Sequence, residues 1–366
     1  MTTPRVGIVG TGWGVTVQVP KFRAAGLTIQ AIYSRDAKRA EELAKSLDIP
    51  EAFTDVSALC QSPNVDLVTV VSPAHLHVPH ALLALKSGKS VISEKPMALS
   101  VQEATELVEA QKEANVPVAV IGHELRFTPF VQKAKEILES DKLGQIRQIT
   151  INGLFDIPMF HPPHSHWNDA SKGGGIFSAV GVHVVDLLHF LFGFSITRVS
   201  AQTLNRVTEL PSAEDPGKMI PCDAEDYCNL RLSLENSSKG VTAGTPAQVT
   251  LCGCTKGTPR FRAIIGGSSA SLVIDIGKSR LILLDKDGDG KLREEVLVEE
   301  DEPQSGFPLG TYHMGVALRK FFTDGEKEAM SVGCSLSDGL KVQAVTDAVR
   351  ASGKQDGDWV SVSYGK

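Results

Sequence analysis

Glu94-Lys95-Pro96 follows a short apolar run, Ser90 to Ser93, with a charged pair and a proline. Proline has no N–H to give to a ladder, so the strand ends there. A glutamate and a lysine at the end of a buried strand are costly unless something uses them. In open α/β sheets, ligands bind beyond such strand ends. Upstream, Gly10-Thr-Gly12-Trp13-Gly14-Val15 follows the apolar stretch Arg5 to Val9. Glycines there let the backbone turn tightly against a pyrophosphate, and the next helix points free N–H groups at it. The third small residue of that pattern belongs where Val15 stands, and Gly14 comes one place early. The reading is a dinucleotide held at Gly10, Gly12, Trp13 and Gly14. Glu94 and Lys95 then lie at its nicotinamide end, with Lys95 also facing a substrate hydroxyl.

Other polar groups fall at strand ends in the same half. Thr28 to Tyr33 ends in Ser34-Arg35-Asp36. A carboxylate at this point would bind a ribose 2′-hydroxyl, whereas a hydroxyl and a guanidinium suit a 2′-phosphate. Ser34 and Arg35 therefore point to NADP, while Asp36 keeps NAD open; Arg35 can also be read as a solvated residue before a helix. Asp66 to Val71 ends in Ser72-Pro73-Ala-His75-Leu-His77. Ser72, Pro73, His75 and His77 are read as cofactor contacts, although the histidines can equally cap and fill the loop. Arg126, where the chain leaves the first domain, is a further cofactor candidate.

In the second half, residues 156–172 are rich in His, Pro and Ser, and a loop of that length tends to be functional or disordered. The spacing His161-Pro-Pro-His164-Ser-His166-Trp167 does not set a tetrahedral site, so no metal is expected. His166 and Trp167 are read as lining a polyol or sugar pocket. Cys252-Gly-Cys254 has no second cysteine pair, and the six cysteines read as buried, reduced thiols of a cytoplasmic protein. Asp285-Lys-Asp287-Gly-Asp289-Gly290 imitates a calcium loop, but its twelfth position is Val296, so a hairpin turn is the expectation.

These groups need elements to hold them. Strands alternate with helices through residue 121, which implies a doubly wound parallel sheet of Rossmann type over 1–122. The helix after the glycine turn is expected to stop at Pro20. Residues 123–366 read as an α/β domain with a large, mostly antiparallel open sheet, built from short alternating strands between Val199 and Val298. Helices are expected at 176–192, 312–322 and 336–351. At 366 residues two domains are expected. A net charge of −6 without a Lys/Arg run argues against nucleic acid or an anionic membrane as partner. No apolar run reads as a membrane span, and the chain enters a strand so early that no signal peptide is expected.

Taken in order, the glycine-rich first turn, Ser72-Pro-Ala-His75, Glu94-Lys95-Pro96 and Gly173-Gly-Gly175 with Gly181-Val-His183-Val-Val-Asp186 resemble the Gfo/Idh/MocA oxidoreductases. That family includes glucose–fructose oxidoreductase and inositol dehydrogenase. By this resemblance Lys95 would be the lysine that contacts the nicotinamide ribose and substrate hydroxyl, and His183 the histidine near the carbon that exchanges hydride. Taken alone, His183 on an apolar helix stripe reads as a core histidine. The family's acidic residue four places earlier is Ala179 here, while Asp186 remains three places later. The resemblance implies an NAD(P)-dependent dehydrogenase or reductase of sugar or polyol CH–OH groups, with Lys95 and His183 at the substrate beside the His166 and Trp167 read from the loop. It also implies a homodimer or homotetramer formed through the second sheet. A nucleotide-sensing regulator without catalysis and an NAD-recycling glycosidase are the alternatives within the fold.

Overall fold

The computed structural model describes residues 3–257, 260–300 and 306–364. Compactness divides them into two units, one of residues 1–127 with 307–343 and the other of 128–306 with 344–366. The stretch 307–343, which from sequence alone falls in the second domain, thus belongs to the first unit.

The first unit is built on β1 (Arg5–Val9), α1 (Val19–Ala24), β2 (Thr28–Tyr33), α2 (Ala37–Ser46), β3 (Glu51–Phe53), α3 (Val56–Gln61), β4 (Leu67–Val70), α4 (His77–Lys86), β5 (Ser90–Ser93), α5 (Val101–Ala114) and β6 (Ala119–Ile121). The six strands are parallel in the order β6-β5-β4-β1-β2-β3. β4 and β5 are buried along their whole length, as expected of strands covered on both faces. Leu59, Ala81, Leu85 and Leu107 cover one face, and Phe22, Leu43, Met314 and Leu318 the other. β3 and α3 are absent from the sequence expectation, because a three-residue strand carries too little alternation to register. Pro20 does not end the first helix. Gly14–Gln18 forms a wide π-type turn, and α1 starts at Val19 with Pro20 in its first turn, where a missing N–H costs nothing.

The second unit begins with α6 (Pro129–Glu139) and β7 (Ile146–Leu154). It continues through α7 (Val182–Phe192), β8 (Ile196–Leu204), a hairpin of β9 (Glu209–Pro211) with β10 (Met219–Pro221), β11 (Tyr227–Leu234), β12 (Ala247–Cys252), β13 (Arg260–Gly267), β14 (Ser271–Asp275), β15 (Arg280–Lys286) and β16 (Leu292–Glu299). The chain then forms α8 (Phe307–Arg319), β17 (Cys334–Ser335), α9 (Leu336–Gly353) and β18 (Val360–Ser361). β17 pairs antiparallel with β6 in the first unit. α8 starts five residues earlier than the sequence expectation and passes into a π-type turn at Lys320–Asp324. The large sheet runs β16-β15-β14-β13-β7-β12-β11-β8-β18, and only β12 with β7 is parallel. β11 and β13 alternate buried and open positions, so one face packs and the other is outward. β15 and β16 form the expected hairpin, with Asp287 Oδ1 accepting the N–H groups of Asp289 and Lys291.

One expectation about apolar runs fails. Ala170–Phe192 is long and apolar enough to cross a membrane, but 89% of its apolar 18-residue stretch is buried inside the fold, as in a core helix. All six cysteines are free; Cys252 and Cys254 are partly exposed rather than buried, with sulfurs 3.8 Å apart.

Candidate active site

In the first unit the candidate residues gather at the C-terminal ends of β1, β2, β4 and β5. Gly10 has φ +139°, and a Cβ there would stand 2.3 Å from the carbonyl oxygen of Val71. Only glycine fits. A Cβ on Gly14 would meet Ile8 and Val71 side chains at 2.8 Å, so this residue lets the helix start close on the sheet. The wide turn explains why it comes one place before the usual third glycine: the Val19 N–H bonds to the Gly14 carbonyl, five residues back. Gly12 has no atom within 4 Å of where its Cβ would lie. The indole Nε1 of Trp13 is buried without a hydrogen-bond partner. A tight turn, an open Cα and an orphaned donor together fit a dinucleotide phosphate group.

At the end of β2, Ser34 is buried and its Oγ accepts the N–H of Asp36. Asp36 caps α2, its Oδ1 accepting the Arg39 N–H at 2.8 Å. Arg35 is exposed and has no hydrogen bond or ion pair among the described residues. At the end of β4, the His77 ring spans two loops, with Nδ1 2.8 Å from the Pro96 carbonyl and Nε2 2.7 Å from the Ser72 carbonyl. Two carbonyls would suit a doubly protonated ring, but burial outweighs them and pushes the imidazole pKa down to about 4. At neutral pH it is a neutral strap that donates to one carbonyl. Pro73 leads the turn Ala74–Leu76, and His75 in that turn has a buried Nδ1 without a partner.

Glu94 is 7% exposed, and its Oε1 accepts the Gln18 Nε2–H at 2.9 Å. Its carboxyl lies where a side chain on Gly122 would begin, 3.1 Å from the Cβ position. Burial pushes this carboxyl above the usual range, against the opposing pull of Lys95 and Gln18. Lys95 is partly exposed, and its peptide bond to Pro96 is cis. Gln18 and Gly122 are absent from the sequence expectation, since neither residue type at these positions signals a buried carboxyl. Arg126 is 4% exposed, and its Nη1 donates to Asp338 Oδ2 and the Gly333 carbonyl at 3.3 Å. These contacts tie it to the β17–α9 corner.

In the second unit, residues 156–172 form three short 3₁₀ turns, Pro158–Phe160, His166–Asn168 and Ala170–Lys172. Ser165 and Asn168 make a reciprocal capping box, and Asn168 Nδ2 donates to the Met159 carbonyl. The His166 and Trp167 rings lie 5.0 Å apart, while His161 instead contacts Asp156 at 2.6 Å. The Trp167 carbonyl accepts the Gly175 N–H at 3.0 Å, which joins this loop to the turn leading into α7. Ala179 lies in a π-type turn, Phe177–Gly181, and His183 is the second residue of α7. Both are buried, as is Asp186.

A carboxyl does serve this helix, delivered from another segment. Glu225 Oε1 accepts the Phe177 N–H at 3.0 Å, and its backbone carbonyl accepts the Ile176 N–H at 2.7 Å. The residue is partly exposed, but its carboxyl packs on the bare Cα of Gly175, where a Cβ would lie 2.3 Å from Oε1. Burial pushes it above the usual carboxylate range, and the N–H bonds oppose that shift. The sequence signal for it is weak: an acidic pair, Glu225-Asp226, just before a strand.

Residues 4–122 match the family model described as an oxidoreductase family with an NAD-binding Rossmann fold, and residues 131–273 match the GFO/IDH/MocA C-terminal domain. An uncharacterized oxidoreductase of Synechocystis is 33% identical over 273 residues, 74% of this chain and 71% of its own. The glucose-fructose oxidoreductase domain-containing protein 2 of Xenopus tropicalis is 28% identical, with 99% of this chain and 94% of its own aligned. Among solved structures, levoglucosan dehydrogenase in complex with NADH and L-sorbose superposes with a TM-score of 0.85 at 20% identity, covering 99% of each chain. At that identity the likeness is one of fold.

Proposed function

Because the chain belongs to the Gfo/Idh/MocA oxidoreductase family, we propose that it is an NAD(P)-dependent dehydrogenase acting on a CH–OH group of a sugar or polyol, or reducing the matching carbonyl. The observation that carries this reading is the strand-end cradle of Gly10, Gly12 and Trp13 after β1, with Lys95 just beyond β5, two strands away in the same parallel sheet. A nicotinamide dinucleotide, when bound, supplies the two-electron partner for hydride exchange at the substrate carbon. This chain's residues orient the substrate and handle its proton. Lys95 Nζ as the neutral amine takes the hydroxyl proton when the alcohol is oxidised, and as the ammonium it donates to the substrate oxygen and returns the proton when the carbonyl is reduced. A ring nitrogen of His183 is the second candidate for that proton. Gln18 and Gly122 fix the buried Glu94 next to Lys95 in sequence, and His77 straps the Ser72 and Pro96 loops together.

NADP is the preferred cofactor in this reading. Arg35 is exposed and unpaired while Asp36 is engaged as a helix cap, so the guanidinium suits a 2′-phosphate. Six free thiols suit the reducing cytoplasm. Outward Leu154 and Ile264, 36% and 41% exposed, support a homodimer or homotetramer formed through the sheet. The test is a panel of sugars and polyols with NADP, NAD and their reduced forms, followed by the absorbance of the reduced cofactor. Turnover with NADP ahead of NAD is expected. Tight cofactor binding with no turnover across the panel would favour a nucleotide-sensing regulator instead, the reading to which Ala179 lends support.

A further inference from the structure

β8 and β11 lie side by side with Leu204 opposite Tyr227, so a short turn would be enough to join them. Hairpin connections usually need about two to five residues. Here residues 205–226 instead leave the sheet as an arm that carries the β9–β10 hairpin. Its base is closed by Asp226, a fully buried residue whose Oδ2 accepts the N–H groups of Arg206 at 2.8 Å and Val207 at 2.7 Å. The Asp226 N–H donates to the Leu204 carbonyl at 3.1 Å, and the Cys222 N–H to the Thr208 carbonyl at 2.8 Å. These bonds give the arm a fixed direction.

What the arm meets is the loop that carries His166 and Trp167. The Pro211 carbonyl accepts the His164 N–H at 2.8 Å. The Asn168 carbonyl accepts the Asp223 N–H at 3.1 Å and the Ala224 N–H at 3.3 Å, and Asp223 Oδ1 accepts the Ala170 N–H at 2.7 Å. Asn168 is the hub of this contact. It is 1% exposed, and its side chain reaches back into the loop, Oδ1 accepting the Ser165 N–H and Nδ2 donating to the Met159 carbonyl, each at 2.9 Å. The loop also rests on Gly174, where a Cβ would stand 2.4 Å from the Trp167 carbonyl oxygen. His166 and Trp167 share one 3₁₀ turn with Asn168, so the place of both rings follows from where the arm holds that residue.

We propose that the 205–226 arm sets substrate specificity, with Asn168 and Asp223 as positioning residues. They hold His166 and Trp167 against the part of the sugar or polyol that lies away from the reacting carbon. This rests on the dehydrogenase reading above. Contacts of that kind are made equally in the ground and transition states, so losing them raises KM and leaves kcat. The test is steady-state oxidation of glucose, sorbitol and myo-inositol with NADP or NAD by wild type, Asn168→Ala, Asp223→Ala and Asp223→Asn. On the compounds that wild type turns over, Asn168→Ala should raise KM roughly tenfold or more, with kcat within about threefold. Its selectivity among the three compounds should narrow. Asp223→Ala should raise KM by less, because its contact is exposed. Asp223→Asn keeps an oxygen for the Ala170 N–H and should return KM to the wild-type value. A lower kcat at unchanged KM, which a smaller folded fraction alone would produce, overturns the inference. So does a KM that neither alanine variant moves, or one that Asp223→Asn fails to restore. A wild type inactive on all three compounds overturns the sugar or polyol reading and this inference together; an active wild type with unmoved KM in the variants overturns this inference alone.

Discussion

Glu94 and Glu225 are both carboxyls packed on the bare Cα of a glycine, Gly122 in one unit and Gly175 in the other. Each accepts N–H bonds, among them one from the Gln18 side chain in the first case and one from the Phe177 backbone in the second, and burial pushes both above the usual carboxylate range. They differ in what they hold. Glu94 adjoins the lysine proposed to handle the proton, at the end of a parallel strand. Glu225 holds the start of a helix from a distant segment, and the residue proposed for chemistry, His183, lies further along that helix. The first arrangement places a buried carboxyl beside the residue proposed for chemistry; the second uses one to hold the framework.

The strongest way to break this comparison is to remove the proposed bases. Lys95→Ala should lower turnover by roughly a hundred- to ten-thousandfold while cofactor affinity changes little. His183→Ala should also lower turnover, by less. Steady-state rates beside cofactor titrations check both, and a Lys95→Ala enzyme with near-normal rates would remove the first unit's claim to the proton.

Next in size is a pH effect on stability. His77 falls from an ordinary value near 6.5 to about 4 in the fold, so its contribution is present above about pH 6.5 and lost as pH falls through 4. The shift corresponds to about 3 kcal/mol. Glu94 runs the other way: its raised folded pKa gives a contribution present at acid pH and lost as pH rises through that value. Denaturation curves across pH should therefore flatten on the acid side in His77→Gln and on the alkaline side in Glu94→Gln.

Glu225→Ala leaves the Phe177 N–H without its acceptor and should cost roughly 1–3 kcal/mol of stability in urea unfolding. Glu225→Gln should keep most of that and restore activity that the alanine loses. Equal catalytic loss in both would give Glu225 a chemical role and erase the contrast with Glu94. The smallest effect is expected at Arg35: Arg35→Ala should reduce the NADP over NAD preference in kcat/KM roughly tenfold.

Much of the first unit was legible because its groups sit in short loops after apolar strands. A glycine-rich turn after β1, the Ser72-Pro73 loop after β4 and Glu94-Lys95-Pro96 after β5 are contiguous signals, and parallel pairing sets those strand ends side by side. The second unit was less legible. Its strands alternate clearly enough to announce an antiparallel sheet, but the partners across it are far apart in the chain. Ser200 meets Arg231 and Gly357, and Ile176 meets Glu225, through pairings that no local spacing encodes.

The sequence by itself determined most of the order of strands and helices, the tight turn at Gly10 after β1 and the strand end at Lys95, because periodicity and turn chemistry are local properties of the chain. Tertiary structure alone decided that Pro20 lies inside a helix start, that 307–343 returns to the first unit, and that Gln18, Gly122 and Glu225 hold the buried groups. The reason is physical: burying a carboxyl depends on which distant atoms surround it, and only the folded chain brings those atoms into contact.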